Sequence, residues 1–144
     1  CAPACGTGAE LELMLGGHRD RRFGVPVPCT AEVLRLTEGR FRNAGPMERG
    51  LQVELGATAV LRVGPLRVIV TSGCQSPNDP EYFRLHGIDL DRVPLLLAKA
   101  KNHFAAAFAE RFDLIQLCDT PGPAMADVSG LPFRRIPPAR LSLD

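Results

Sequence analysis

Two glycine-marked turns, Gly56-Ala57 and Gly64-Pro65, constrain this chain more than any other feature. They divide three short runs. In Leu51 to Leu55, the apolar Leu51, Val53 and Leu55 alternate with Gln52 and Glu54. Thr58 to Val63 and Leu66 to Thr71 follow. Short strands with connections this tight predict an antiparallel meander. Upstream, Ala9 to Leu15 has the alternation of a strand and stops at Gly16-Gly17, a turn signal. Val25 to Leu36 alternates in part. Thr37-Glu38-Gly39-Arg40 reads as a turn and Asn43-Ala44-Gly45-Pro46 as a loop.

The second half of the chain changes character. Asp79-Pro80-Glu81 reads as a helix start. Asp caps free N–H groups, Pro is tolerated at the first helical position, and Glu suits the positive end of the dipole. That helix ends by Gly87. Val93 to Ala98 is a continuous apolar run, as expected of a strand buried on both faces. A helix over about His103 to Arg111 follows, with Phe104, Phe108 and Phe112 on one stripe. Leu114 to Cys118 reads as another buried strand, which would complete a right-handed βαβ unit. The expectation is one α+β domain over residues 1–144. Its mixed β-sheet would be an antiparallel meander followed by the βαβ unit, with two helices.

Composition excludes several classes. The 144 residues suit one domain that buries its own core. The formal net charge is +1, so no strong field steers the chain toward nucleic acid or an anionic membrane. The arginines at Arg19, Arg21, Arg22, Arg134 and Arg135 lack interleaved aromatics and read as solvated loop charge. No apolar run approaches the ~20 residues of a membrane span, and no secretory signal is visible. Five cysteines cannot all pair within one chain. Their scatter fits a reducing, cytoplasmic setting. The first residue, Cys1 rather than Met, reads as that of a chain excised from something longer.

Three histidines are present, far apart in sequence. His86, near a helix end, reads as a partner for the helix C-terminus. The chemically richer place is Lys99-Ala100-Lys101-Asn102-His103, at the predicted junction of a buried strand and a helix. Ligands favour such crevices, and free helix N–H groups attract anions or a carbonyl oxygen. Asn102 could cap the helix, Lys99 and Lys101 add positive charge, and His103 could transfer a proton. Asp119, in Asp119-Thr120-Pro121-Gly122, would lie near His103 if the two strands were parallel neighbours. Otherwise it is an ordinary turn residue. Thr71-Ser72-Gly73-Cys74-Gln75-Ser76 is a polar loop without a phosphate-binding pattern.

An ordered set of motifs gives these pieces a family likeness. It comprises Gly39-Arg40-Phe41 with Gly45-Pro46-Met47, then Thr58-Ala59-Val60-Leu61-Arg62, Asp79-Pro80-Glu81, Phe83 and Gly87-Ile88-Asp89. It continues through Lys99, His103-Phe104, Ala106-Ala107-Phe108, Asp119-Thr120-Pro121-Gly122, and Leu131-Pro132 with Arg134-Arg135. From about Gly16 to Asp144 the chain resembles the C-terminal domain of the MlrC (microcystinase C) family of zinc-dependent hydrolases.

The resemblance implies a longer parent that cleaves peptide or peptide-like amide bonds. Its zinc would sit in an N-terminal metal-binding domain that this chain lacks, polarising the carbonyl and activating water. No metal is expected in this segment itself. The implied partners are that N-terminal domain and a peptide-like substrate, with no nucleic acid and no membrane. The domain would help shape or close the substrate cleft, with His103 as the catalytic candidate and Lys99, Lys101, Asn102 and Asp119 as substrate-binding candidates. Polar positions depart from the family pattern: Ala100 and Lys101 replace serines, Ala105 replaces an arginine, and Gly73, Cys74 and Ser76 stand where the family carries arginines and a glutamine. Two other classes stay open: a module binding a small anion or peptide through Lys99 and Lys101, and a structural domain for homo-oligomerisation.

Overall fold

A computed structural model describes residues 2–18, 20–100, 103–118, 120 and 134. The architecture is α+β, with one four-stranded and one two-stranded antiparallel sheet. The helices are α1 (Ala2–Cys5), α2 (Pro80–Arg84) and α3 (Phe104–Phe108). The strands are β1 (Glu10–Leu15), β2 (Val27–Thr37), β3 (Arg40–Arg42), β4 (Gln52–Glu54), β5 (Thr58–Val63) and β6 (Leu66–Thr71).

The larger sheet runs β1-β2-β5-β6. Strand β5 is its spine: Thr58, Ala59, Val60 and Leu61 are all buried, so the strand is covered on both faces. Ala59 and Leu61 join Ala31 and Val33 on one face, flanked by Leu11, Leu13 and Leu15. Period-two alternation puts those three leucines on one side of β1 and exposes Glu10, Glu12 and Met14 on the other. A bulge between Val33 and Arg35 shifts the register of β2 against β5. An extra residue of this kind re-aims the side chains that follow. Beyond it, Arg35 reaches the Leu85 carbonyl at 3.0 Å and Thr37 reaches His86, tying the sheet to α2.

Only half of the expected meander forms. Strands β5 and β6 make the hairpin that Gly64-Pro65 marks. Strand β4 instead pairs with β3, a three-residue strand that runs from the end of the expected turn to the start of the expected loop. Leu55 explains the departure. It is fully buried, its N–H donates to Gly39 at 2.8 Å, and its carbonyl accepts from Gly73 at 2.7 Å. Its backbone is therefore committed to two loops rather than to β5. Gly39 must be glycine there, because at φ 65° an added Cβ would meet the Gly56 carbonyl oxygen at 2.6 Å.

Helix α2 follows its sequence signals closely. The Asp79 carboxylate accepts from the Glu81 N–H at 2.9 Å, Pro80 opens the helix, and Arg84 pairs with Glu81 in the last turn. Gly87 closes it at φ 72°, with Ile88 N–H returning to the Phe83 carbonyl. Tyr82 and Phe83 enter a second core with Val53, Leu55, Ile88, Leu90 and Phe108. The phenylalanine stripe is also as expected: Phe108 is buried, Phe104 and Phe112 pack beside it, and Phe83 meets Phe108 edge-on at 5.8 Å.

The βαβ unit is not present among the described residues. Residues 93–98 and 114–118 are not strands. Val93 and Leu96 lean on the second core, but Leu95, Leu97, Leu114 and Leu117 are 72%, 80%, 79% and 73% exposed. A strand buried on both faces needs sheet neighbours, and no described residue supplies them. No helix of the described residues is long and apolar enough to cross a membrane.

Candidate functional site

The β3–β4 ladder is short, and the loop across its end is held by its own backbone. Asn43 N–H donates to the Leu51 carbonyl at 2.9 Å, Gly50 N–H to the Asn43 carbonyl at 2.8 Å, and Leu51 N–H to the Glu48 carbonyl at 3.0 Å. The turn forces Glu48 to φ 54°, a left-handed conformation that strains any residue with a Cβ. One further bond fastens the loop to the rest of the fold. Gly45 N–H donates at 2.7 Å to the Asp79 carboxylate, the same group that caps α2. The approach is close enough that a Cβ on Gly45 would stand 2.9 Å from the Asp79 oxygen.

This junction leaves a small cavity of about 90 Å³ between the loop and the segment before α2. Phe41, Asn43, Met47 and Glu48 line it from one side; Gln75, Ser76, Asn78 and Asp79 line it from the other. Ser76 Oγ donates to Asn78 Oδ1 at 3.0 Å, which orients that carboxamide. Asp79 is 5% exposed and Asn43 7%. The backbone groups of Asn43 are spent in the loop, while its side-chain amide makes no hydrogen bond to another described residue and is not sealed away from solvent or the cavity. Shielding such an amide from water without a partner costs about 1–3 kcal/mol. Its place at a cavity wall leaves it available to a ligand or to water.

His103 completes the wall. It has φ 68° and makes no capping bond to α3, which it precedes. The strand expected before it is absent, and α3 has only five residues. The anion-attracting strand–helix crevice of the sequence reading is therefore not what holds His103; a loop does. Lys99 is exposed and does not line the cavity. Lys101, Asn102 and Asp119 lie outside the described residues. The sequence reading missed Asn43, Glu48, Gln75, Asn78 and Asp79 as a group. Its only signal was the polar character of two loops whose convergence depends on a contact spanning 34 residues.

His86 has a different part. It is 3% exposed, its Nδ1–H donates to the Tyr82 carbonyl, and its Nε2 accepts from the Thr37 hydroxyl. A neutral ring serves both contacts in this way. Burial depresses its pKa, and nearby Arg35 adds to the effect against the Tyr82 bond. His86 is a brace between β2 and α2. Among the described residues, no three His, Cys, Asp or Glu side chains converge to hold a metal ion. The described residues thus do not fit a resident zinc.

Comparisons with known proteins agree with this architecture. The crystal structure of a candidate metallopeptidase from Mesorhizobium sp. BNC1 superposes with a TM-score of 0.76 at 30% identity. The match covers 84% of this chain but 24% of that one, so the chain spans about a quarter of the neighbour's length. A comparison with curated proteins finds no match. The model of the MlrC C-terminus family matches residues 1–135, and the chain belongs to that family.

Proposed function

We propose that this chain serves as the C-terminal domain of an MlrC-like metallopeptidase or amide hydrolase, and that its polar cavity forms part of the substrate cleft. The observation that carries the reading is the position of His103, an exposed imidazole on the wall of a cavity whose other polar lining is carboxamides, a hydroxyl and carboxylates, beside Phe41 and Met47. Such a ring relays or donates a proton to a substrate group seated beside it. Zinc, when bound by the rest of the parent, would supply Lewis-acid activation. This domain would hold and orient the substrate. The neighbour named as a metallopeptidase, four times longer than the matched segment, supports a parent with that chemistry elsewhere in its chain.

The exposed Leu95, Leu97, Leu114 and Leu117 support packing against the N-terminal domain of the parent, since leucines this exposed are an apolar surface wanting cover. The same surface could serve a homo-oligomer. A small-anion site at Lys99 is less favoured, because Lys99 does not line the cavity and the strand expected before it is not formed. The departures from the family's polar pattern fit a parent that prefers a substrate other than linear microcystin. Efficient cleavage of linear microcystin by that parent would overturn this preference.

The test is His103→Ala in the parent, assayed on a linear peptide amide with zinc content measured alongside. The expected result is a loss of about a hundredfold in kcat/KM at unchanged zinc occupancy. Unaltered kinetics would remove His103 from the site.

A further inference from the structure

The geometry points to a specific ligand chemistry for the cavity: we propose that it is a subsite for a hydrogen-bonding monocation, the ammonium or guanidinium end of a ligand. The inference deepens the proposed function by naming what the cleft would hold.

Size comes first. A volume of about 90 Å³ is well below the ~300–1,000 Å³ of pockets that enclose whole small molecules. It suits one functional group, with the remainder of the ligand lying outside.

Charge comes next. Glu48 and Asp79 both line the cavity, and no described lining residue is lysine or arginine. The Asp79 carboxylate already accepts from the N–H groups of Gly45 and Glu81, yet two oxygens offer about four lone-pair sites, so it has acceptor capacity left. Glu48 makes no ion pair among the described residues. An anion would meet two like charges here; a cation meets two opposite ones.

The third observation is independent of charge. Asn43 is more than nine-tenths buried and lines the cavity, and its side-chain amide makes no hydrogen bond to another described residue. Its Oδ1 accepts from a donor. Ammonium and guanidinium carry only donors, and guanidinium carries five in its alkylated form, in a fixed plane. Asn43, Glu48 and Asp79, each with a side-chain acceptor, line one small space, which suits such a group. A neutral amide would satisfy Asn43 but leave the carboxylates without a counter-charge.

The test is calorimetric titration of the 144-residue chain with methylguanidinium and methylammonium, with acetamide and acetate as comparison probes. Saturable binding of a cationic probe is expected, weakened by salt, with no binding of acetate. Glu48→Gln should weaken it about tenfold, the scale of one charge-assisted hydrogen bond, and Asn43→Ala by a similar factor. Circular dichroism and melting of each variant check that the fold is kept. Glu48→Gln removes only a charge from an exposed side chain, so it stays informative if Asn43→Ala fails to fold. Acetamide binding as tightly as the cations, with Glu48→Gln silent, would overturn the proposal in favour of a neutral amide subsite. Absence of saturable binding by either cation would overturn it outright. No metal or hydrolysis enters this titration, so its failure and the failure of the His103→Ala test are separate results.

Discussion

Asp79 is the residue on which fold and cavity most depend, and Asp79→Ala makes that dependence measurable. The substitution removes the cap of α2, the bond to Glu81 N–H at 2.9 Å, which costs about 1 kcal/mol. It also strands the Gly45 N–H, which donates to the same carboxylate at 2.7 Å in a buried setting. A buried donor left without a partner costs about 1–3 kcal/mol. Together the loss is about 2–4 kcal/mol. With a urea slope of about 2 kcal/mol/M, the unfolding midpoint should fall by about 1–2 M at unchanged slope. Asp79→Asn separates the two contributions. Asn is as good a cap as Asp but has one acceptor oxygen instead of two, so it should lose only the part due to Gly45. Urea denaturation followed by circular dichroism is the assay. A midpoint for Asp79→Ala corresponding to less than about 0.5 kcal/mol of loss, the scale of a featureless surface site, would refute the reasoning.

Other substitutions test the remaining elements. Gly39→Ala should destabilise by about 2–4 kcal/mol in the same assay, because it adds left-handed strain to a Cβ contact of 2.7 Å with Leu55. Glu48→Gly should unfold at higher urea than Glu48→Ala by about 1 kcal/mol, since only glycine is at ease at φ 54°. The depressed pKa of His86 makes stability fall as pH drops. The unfolded chain takes up the proton first, near pH 6.5, so the contribution is full above that value. It declines below and levels off once pH passes the folded pKa; a ring titration by NMR that matched the unfolded value would exclude this. Leu97→Asp and Leu117→Asp should change the stability of this chain by less than about 0.5 kcal/mol, given their exposure of 80% and 73%. In the parent the same changes should weaken domain packing, read as loss of cooperativity in thermal unfolding.

What the sequence made legible was whatever local rules decide. Period-two leucines placed β1, Gly64-Pro65 placed the β5–β6 hairpin, and Asp79-Pro80-Glu81 placed the start of α2. Phe104, Phe108 and Phe112 showed which side of α3 faces inward. What stayed hidden was whatever a distant partner decides. Residues 51–55 alternate as a meander strand would, yet the bonds of Leu55 to Gly39 and Gly73 draw β4 to β3. The runs at 93–98 and 114–118 have the apolar content of buried strands, but content does not supply neighbours. His103 was singled out from a strand–helix junction that does not form, and the wall of a different cavity is where the structure puts it. The cavity itself could not be read, because one bond between residues 45 and 79 brings its two sides together.

The distribution of local strain gives the cavity its interest. Among the described residues, almost every backbone position with positive φ is glycine, the residue that tolerates it. Two are not, Glu48 and His103, and both line the same small space. Each costs roughly 1–2 kcal/mol that glycine would avoid. Asn43, whose amide makes no hydrogen bond to another described residue, lines that space as well. Elsewhere, turn chemistry, capping and packing agree with one another, as in α2 and the β5–β6 hairpin. A fold that is consistent at its turns and strained at one polar concavity is arranged as binding sites are, because a ligand can offset costs that the free protein bears. Strain by itself names no ligand. The two carboxylates do that, and they are why a cation, rather than the anion suggested by Lys99 and Lys101, is the group to test first.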